Sequence, residues 1–202
     1  MYRYLALGDS YTIGEQVGKD ENFPNQTVRC LAQRGVEIHA PQIIATTGWT
    51  TDELQAGIEE AKPGADFDLV TLLIGVNNQY RGRTQENYAS EFEHLLYQAI
   101  AFAKNEPQRV VVLSIPDWGC TPFAAGKDSE KIAAEIDAFN SINKALCLAA
   151  NGHYLDITDS TRENGSKPEY LTEDKLHYAA KEYGIWAKRL SALVLAQAIV
   201  TP

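Results

Sequence analysis

Short apolar runs alternate along this chain with longer stretches whose apolar residues recur every three or four positions. YRYLAL (2–7) reads as a first strand, and PNQTVRCLAQRG (24–35) as a helix closed by Gly35. VEIHAPQIIA (36–45) predicts a second strand, with Pro41 forcing part of it to an edge or a bend. TTDELQAGIEEAK (50–62) opens on Thr50-x-x-Glu53, a capping-box pattern, and Pro63-Gly64 stops it. FDLVTLLIG (67–75) and RVVVLSI (109–115) are near-continuous apolar runs, the pattern of strands covered on both faces. Between them, residues 84–105 set Tyr88, Phe92, Leu95, Leu96 and Ala99 on one helical stripe. A helix over 129–150, a fifth strand HYLDI (153–157) and a last helix over 183–200 complete the series.

Five strands with intervening helices predict an α/β fold: a three-layer α/β/α arrangement around a five-stranded parallel sheet, with right-handed crossovers. The flavodoxin-like order 2-1-3-4-5 is the expected one. Neither an internal repeat nor a linker interrupts the pattern, and residues 1–202 read as one domain. In such sheets a ligand sits beyond the carboxyl ends of the strands, at the point where the strand order reverses. Ser10, Gly48 and Asn77 follow the first, second and third strands and converge on that rim.

Composition removes several classes of function. A net charge of −9 argues against nucleic acid and against an anionic membrane surface. No window approaches the roughly 18 apolar residues of a membrane span, and residues 1–7 are too short for the apolar region of a signal peptide. If residue 1 is the natural start, the expected location is cytoplasmic; an export signal trimmed from ahead of it would leave no trace. Cys30, Cys120 and Cys147 form no C-x-x-C pair and read as free thiols. His39, His94, His153 and His177 fall singly, so neither a metal nor any other cofactor is expected. A P-loop ending and a G-x-G-x-x-G are both missing.

What remains is nucleophilic chemistry. The stretch LALGDSYTIGE (5–15) leaves a strand through Gly8-Asp9 and sets Ser10 at its exit. A serine nucleophile needs a base and a group to orient that base. Asp174 and His177, in TEDKLHYAAKEYG, are spaced so that the carboxylate reaches imidazole Nδ1 and leaves Nε2 for Ser10. The plain alternative is that Asp174 caps the last helix and His177 is a surface residue. An oxyanion needs donors. Gly48 offers a backbone N–H free of a Cβ, Asn77 a side-chain amide, and Ser10 its own N–H. Each also has a purely structural reading, Gly48 as a turn residue and Asn77 as a loop cap.

Taken together, Gly-Asp-Ser after strand 1, Gly after strand 2, Gly75-x-Asn77 after strand 3 and Asp-x-x-His before the last helix resemble the Ser-Gly-Asn-His (SGNH, or GDSL-type) hydrolases, in that family's order along the chain. The resemblance implies a metal-independent serine esterase with Ser10 as nucleophile, His177 as general base and acid, and Asp174 as orienting carboxylate. It makes the Ser10 and Gly48 amides and the Asn77 side chain the oxyanion hole. Asn78 stands where the family often has aspartate, Tyr11 where leucine or isoleucine is common, and Tyr178 where proline is frequent. The partner implied is a small-molecule ester. Short-acyl esters and acetylated carbohydrates are favoured over a lysophospholipid or thioester, with a non-catalytic ligand-binding descendant as the alternative of another class. Trp49, Trp118 and Phe123 are expected to crowd the pocket.

Overall fold

The computed structural model describes residues 1–202. Five parallel strands pair in the order β2-β1-β3-β4-β5: β1 Tyr4–Gly8, β2 Gln42–Ala45, β3 Leu69–Leu73, β4 Val110–Leu113 and β5 His153–Leu155. Every residue of β1, β3 and β4 is buried, which explains their unbroken apolar runs. The chain passes from β1 through α2 (Phe23–Ala32) to β2, then reverses through α3 (Thr51–Ala61) to β3. It continues through α5 (Gln85–Phe102) to β4 and α6 (Ser129–Ala149) to β5. Right-handed crossovers therefore put α2 on one face and α3, α5 and α6 on the other. The last helix, α8 (Ala180–Ala196), packs against α2, so both faces are covered.

The second strand is shorter than expected. Only the residues after Pro41 join the sheet; before it, Ile38 makes a single bridge to Tyr2. Proline lacks the N–H a ladder needs and interrupts the pairing. The last helix is shifted toward the N-terminus from the expected 183–200, since Ala198 turns to φ 52°. Thr50 opens α3 as foreseen, its N–H donating to Glu53 Oε2 at 2.9 Å. Three short helices carry no legible pattern: α1 (Ser10–Ile13), α4 (Val76–Tyr80) and α7 (Thr158–Asn164). No helix is long and apolar enough to cross a membrane.

The exit from β1 is tight. A Cβ on Gly8 would stand 2.1 Å from Thr12 Oγ1 and 2.4 Å from the Leu73 carbonyl oxygen, so only glycine lets the strand turn into α1 there. Beneath α1 lies an aromatic cluster. Trp186 is fully buried, with ring centroids at 5.1 Å from Tyr183, 5.6 Å from Tyr178, 6.0 Å from Phe23 and 6.3 Å from Tyr11. Two of the three residues at which this chain departs from the family's usual pattern, Tyr11 and Tyr178, thus meet within it at 5.8 Å.

Asp9 caps α1 by accepting from the Tyr11 N–H at 3.0 Å, and only 1% of it is exposed. Burial pushes its carboxyl up to about 7, against the lowering effect of that backbone hydrogen bond. Below about pH 4, the usual range for aspartate, the group is neutral folded or unfolded. As pH rises from there to about 7, the unfolded chain ionises while the folded one keeps its proton, so stability falls across this window and levels off above it. Asn keeps the cap without the charge. Asp9→Asn is therefore expected to raise Tm at pH 8 by roughly 3 °C or more and to change it little at pH 4. Equal shifts at the two pH values in a thermal melt would show that Asp9 does not titrate in this window.

Candidate active site

Because β1 lies between β2 and β3 with Gly8 paired to Ala45 and Leu73, the three chain segments leaving those strands emerge side by side. Ser10 is the first residue of α1 and only 4% exposed. At that position its N–H has no acceptor within the helix. It lines a cavity of about 210 Å³ together with Gly48, Asn77 and His177. All four of these expected site residues are thus brought to one cavity.

Gly48 adopts φ +85°, a left-handed conformation that glycine takes without steric cost, and its N–H donates to no protein acceptor. Asn77 is the second residue of α4, and its Nδ2 donates to the Trp49 carbonyl at 2.9 Å. An amide NH₂ has two hydrogens, so one donor remains. Asn78, next along, secures the same region from behind: its Oδ1 accepts from the Thr51 N–H at 3.1 Å and its Nδ2 donates to Thr51 Oγ1 at 2.6 Å. Thr47 is tied to Glu15 through its hydroxyl.

Asp174 and His177 occupy a looped segment ahead of α8 rather than the helix itself, whose N-cap is Ala179. His177 Nδ1 lies 2.6 Å from Asp174 Oδ2. The other carboxylate oxygen accepts from the N–H groups of Leu176 and His177, each at 2.9 Å, and from Thr172 Oγ1 at 2.8 Å. Burial works against the charge of Asp174, but these hydrogen bonds, led by that of the His177 ring, outweigh it and hold the carboxyl at about 2. Ionised at neutral pH, the carboxylate accepts from Nδ1–H and leaves Nε2 as the unprotonated nitrogen of the neutral ring. The loop is closed by Thr172 N–H to the His177 carbonyl at 2.9 Å and Ala179 N–H to the Tyr170 carbonyl at 2.8 Å. Underneath, the Tyr11 ring packs against the imidazole at 5.6 Å between centroids.

The remaining walls are apolar and aromatic: Tyr11, Val76, Tyr80, Trp118, Phe123 and Leu176, with Thr47 at one side. Trp118 is buried, its Nε1 donating to Gln79 Oε1 at 2.8 Å, and its ring meets Tyr80 and Phe123 edge-on at 5.2 and 6.1 Å. Trp49, expected on this wall, is not part of it. Its ring lies over Gly57 of α3, where a Cβ would come within 2.2 Å of Trp49 Cη2, so the missing side chain of Gly57 makes the seat into which the indole turns away from the cavity. Tyr80 was not foreseen. It stands three residues after Asn77, which on a helix is the same face, but α4 is too short to leave a periodic signal. No group of three or more His, Cys, Asp or Glu side chains is gathered where it could hold a metal ion.

Solved structures with this fold include a lipase/acylhydrolase from Enterococcus faecalis, at TM-score 0.73 and 18% identity over 96% of this chain and 95% of that one. An acetylxylan esterase from Geobacillus stearothermophilus gives 0.74 and 17% over 96% and 94%. The protein TesA gives 0.72 and 17% over 96% and 99%. Identities this low speak to the fold alone. No curated protein matches the sequence. The pattern of the GDSL-like lipase/acylhydrolase family does, over residues 6–185, and that span takes in β1 through the His177 loop and most of the sheet: the chain belongs to this family.

Proposed function

We propose that the protein is a serine ester hydrolase acting through an acyl-enzyme. The observation that carries this reading is the 2.6 Å Asp174–His177 hydrogen bond, held by an ionised carboxylate, on the wall of the cavity that Ser10 also lines. In the first half-reaction His177 Nε2 takes the Ser10 hydroxyl proton as Oγ bonds to the ester carbonyl carbon. The carbonyl oxygen gains the negative charge and accepts from the N–H groups of Ser10 and Gly48 and the free hydrogen of Asn77 Nδ2. Collapse breaks the carbon–oxygen bond to the alcohol, which leaves with the proton from His177. Water then repeats the sequence on the acyl-Ser10 ester, giving the acid and free serine. Asp174 stays ionised throughout, orienting the ring and stabilising the imidazolium.

The substrate reading is a short acyl group, acetyl above all. A cavity of about 210 Å³ is small against the roughly 300–1,000 Å³ typical of sites for drug-sized ligands. Rings from Tyr80, Trp118 and Phe123 limit its depth. An aromatic wall also suits the apolar face of a sugar, in keeping with the acetylxylan esterase among the proteins of similar fold.

Ser10→Ala should cost on the order of 10⁴ or more in kcat while leaving Tm unchanged. A fluorophosphonate should add once to the wild-type chain, at Ser10, by intact mass. Absence of that adduct at high probe concentration would favour a ligand-binding descendant.

Asn77→Ala should lower kcat by roughly 10²–10³ with little change in KM, because its donor acts on the developing oxyanion. A raised KM at constant kcat would instead assign Asn77 to ground-state binding.

Acetyl and butyryl p-nitrophenyl esters should surpass those of ten or more carbons in kcat/KM. Phe123, 40% exposed, can be truncated without opening the core, unlike the hydrogen-bonded and buried Trp118. Phe123→Ala should therefore shift the preference to longer acyl chains. A long-chain optimum in the wild type would put a lysophospholipase or long-chain thioesterase first.

A further inference from the structure

The turn that carries Gly48 is held by two side chains from one short helix. Asn77 Nδ2 takes the Trp49 carbonyl at 2.9 Å, and four residues on, Arg81 Nη2 takes the Gly48 carbonyl at 2.6 Å. Positions i and i+4 share a helix face, so α4 and its C-cap Arg81 present both donors to consecutive peptide groups. Arg81 is in turn fixed from the other side. Its Nη1 donates to Glu53 Oε1 at 3.2 Å, and Glu53 Oε2 accepts from the Thr50 N–H at 2.9 Å. The turn's own backbone bond, Trp49 N–H to the Thr46 carbonyl, is long at 3.3 Å. A glycine at φ +85° has unusual freedom to rotate the peptides on either side of it. Without an external tie, the unpaired Gly48 N–H would wander from the cavity.

We infer that Arg81 is a positioning residue for the oxyanion hole, fixing the peptide after Gly48 so that the Gly48 N–H is held toward the cavity. The inference rests on the reading of Gly48 as an oxyanion donor and adds to it a residue that the sequence analysis did not single out. A role in folding is a poor account of the same contacts. The Arg81 and Glu53 side chains are 43% and 40% exposed, and ion pairs that open to solvent contribute little to stability. The bond to Gly48 is directional and falls on a residue whose own N–H donates to no protein acceptor.

The experiment compares wild type, Arg81→Met and Arg81→Lys on p-nitrophenyl acetate, with Tm and the rate of fluorophosphonate addition for each. Arg81→Met is expected to lower kcat and the phosphonylation rate about tenfold, less than loss of a direct donor, with KM within about twofold. Its Tm should stay within roughly 2 °C. Arg81→Lys keeps a charge and one donor and should recover most of the loss. An unchanged kcat in an active Arg81→Met protein overturns the inference and leaves the esterase reading standing. So does a loss that follows a large fall in Tm and is not recovered by lysine, or a raised KM at constant kcat. A wild type that neither hydrolyses the ester nor takes the label at Ser10 overturns the esterase reading, and this inference with it.

Discussion

The pairing of β1 between β2 and β3 is the constraint on which the rest depends. In a parallel sheet all three strands end at the same edge, and the reversal of order at β1 opens a crevice there. The registers Gly8↔Ala45 and Gly8↔Leu73 fix the ends of the strands relative to one another. Burial of β1 and β3 on both faces then holds that register, because a one-residue slip would exchange every side chain between two packed layers. The segments beginning at Ser10, Thr47 and Val76 inherit their spacing from the sheet. A Cβ at Gly8 would press on the Leu73 carbonyl and force this edge apart, so the first glycine of the motif serves the geometry before any chemistry does.

The fourth segment, carrying Asp174 and His177, does not come from that edge and needs support of its own. Two backbone bonds close its loop, and the aromatic cluster of Tyr11, Tyr178, Tyr183 and Trp186 forms its floor. Tyr11 belongs to α1, so the residue after Ser10 also packs against the imidazole at 5.6 Å. The seat of His177 and the helix of Ser10 therefore share a side chain. This gives the unusual tyrosines at positions 11 and 178 a common physical reason: each supplies a ring to one contact surface, and a branched aliphatic side chain at 11 would leave part of it empty.

The elements that the sequence made legible are those long enough to repeat. Strands buried on both faces and helices of three or more turns carry their period in plain view, and their alternation implies a parallel sheet. The short helices α1, α4 and α7 hold too few residues for a period, and each follows closely on the end of a strand, where the sheet rather than helix propensity decides the conformation. Strand 2 is shorter than its apolar run because Pro41 acts as a boundary rather than a bend. At the candidate site, a motif names Ser10, Gly48, Asn77, Asp174 and His177 by type and order, and the fold brings four of them to one cavity and joins Asp174 to His177. Trp49 stands away from the cavity for a reason no local pattern contains: whether its indole enters or turns away is decided by the missing side chain of Gly57 on a different element. Tyr80 and Arg81 escaped notice because the helix that aims them was itself unseen.

That short helix joins functions usually discussed apart. Along α4 and its cap, Asn77 and Tyr80 line the cavity, and Arg81 ties the Gly48 turn. Gln79 on the same helix holds Trp118 from behind and is itself bonded to Glu135 of α6 at 2.7 Å. A displacement of α4 would therefore move Asn77, the Gly48 turn and two walls of the cavity together. Residues that act as one body have effects that do not add, so substitutions along α4 should couple in pairs even where the side chains do not touch. The helix is anchored at its start by Gly75, where a Cβ would meet Tyr88 and Ile115 within 2.7 Å, which packs it directly against the covered face of the sheet. The walls of the cavity and the Gly48 turn beside it are in this way referred to the same core, and one is not displaced independently of the other.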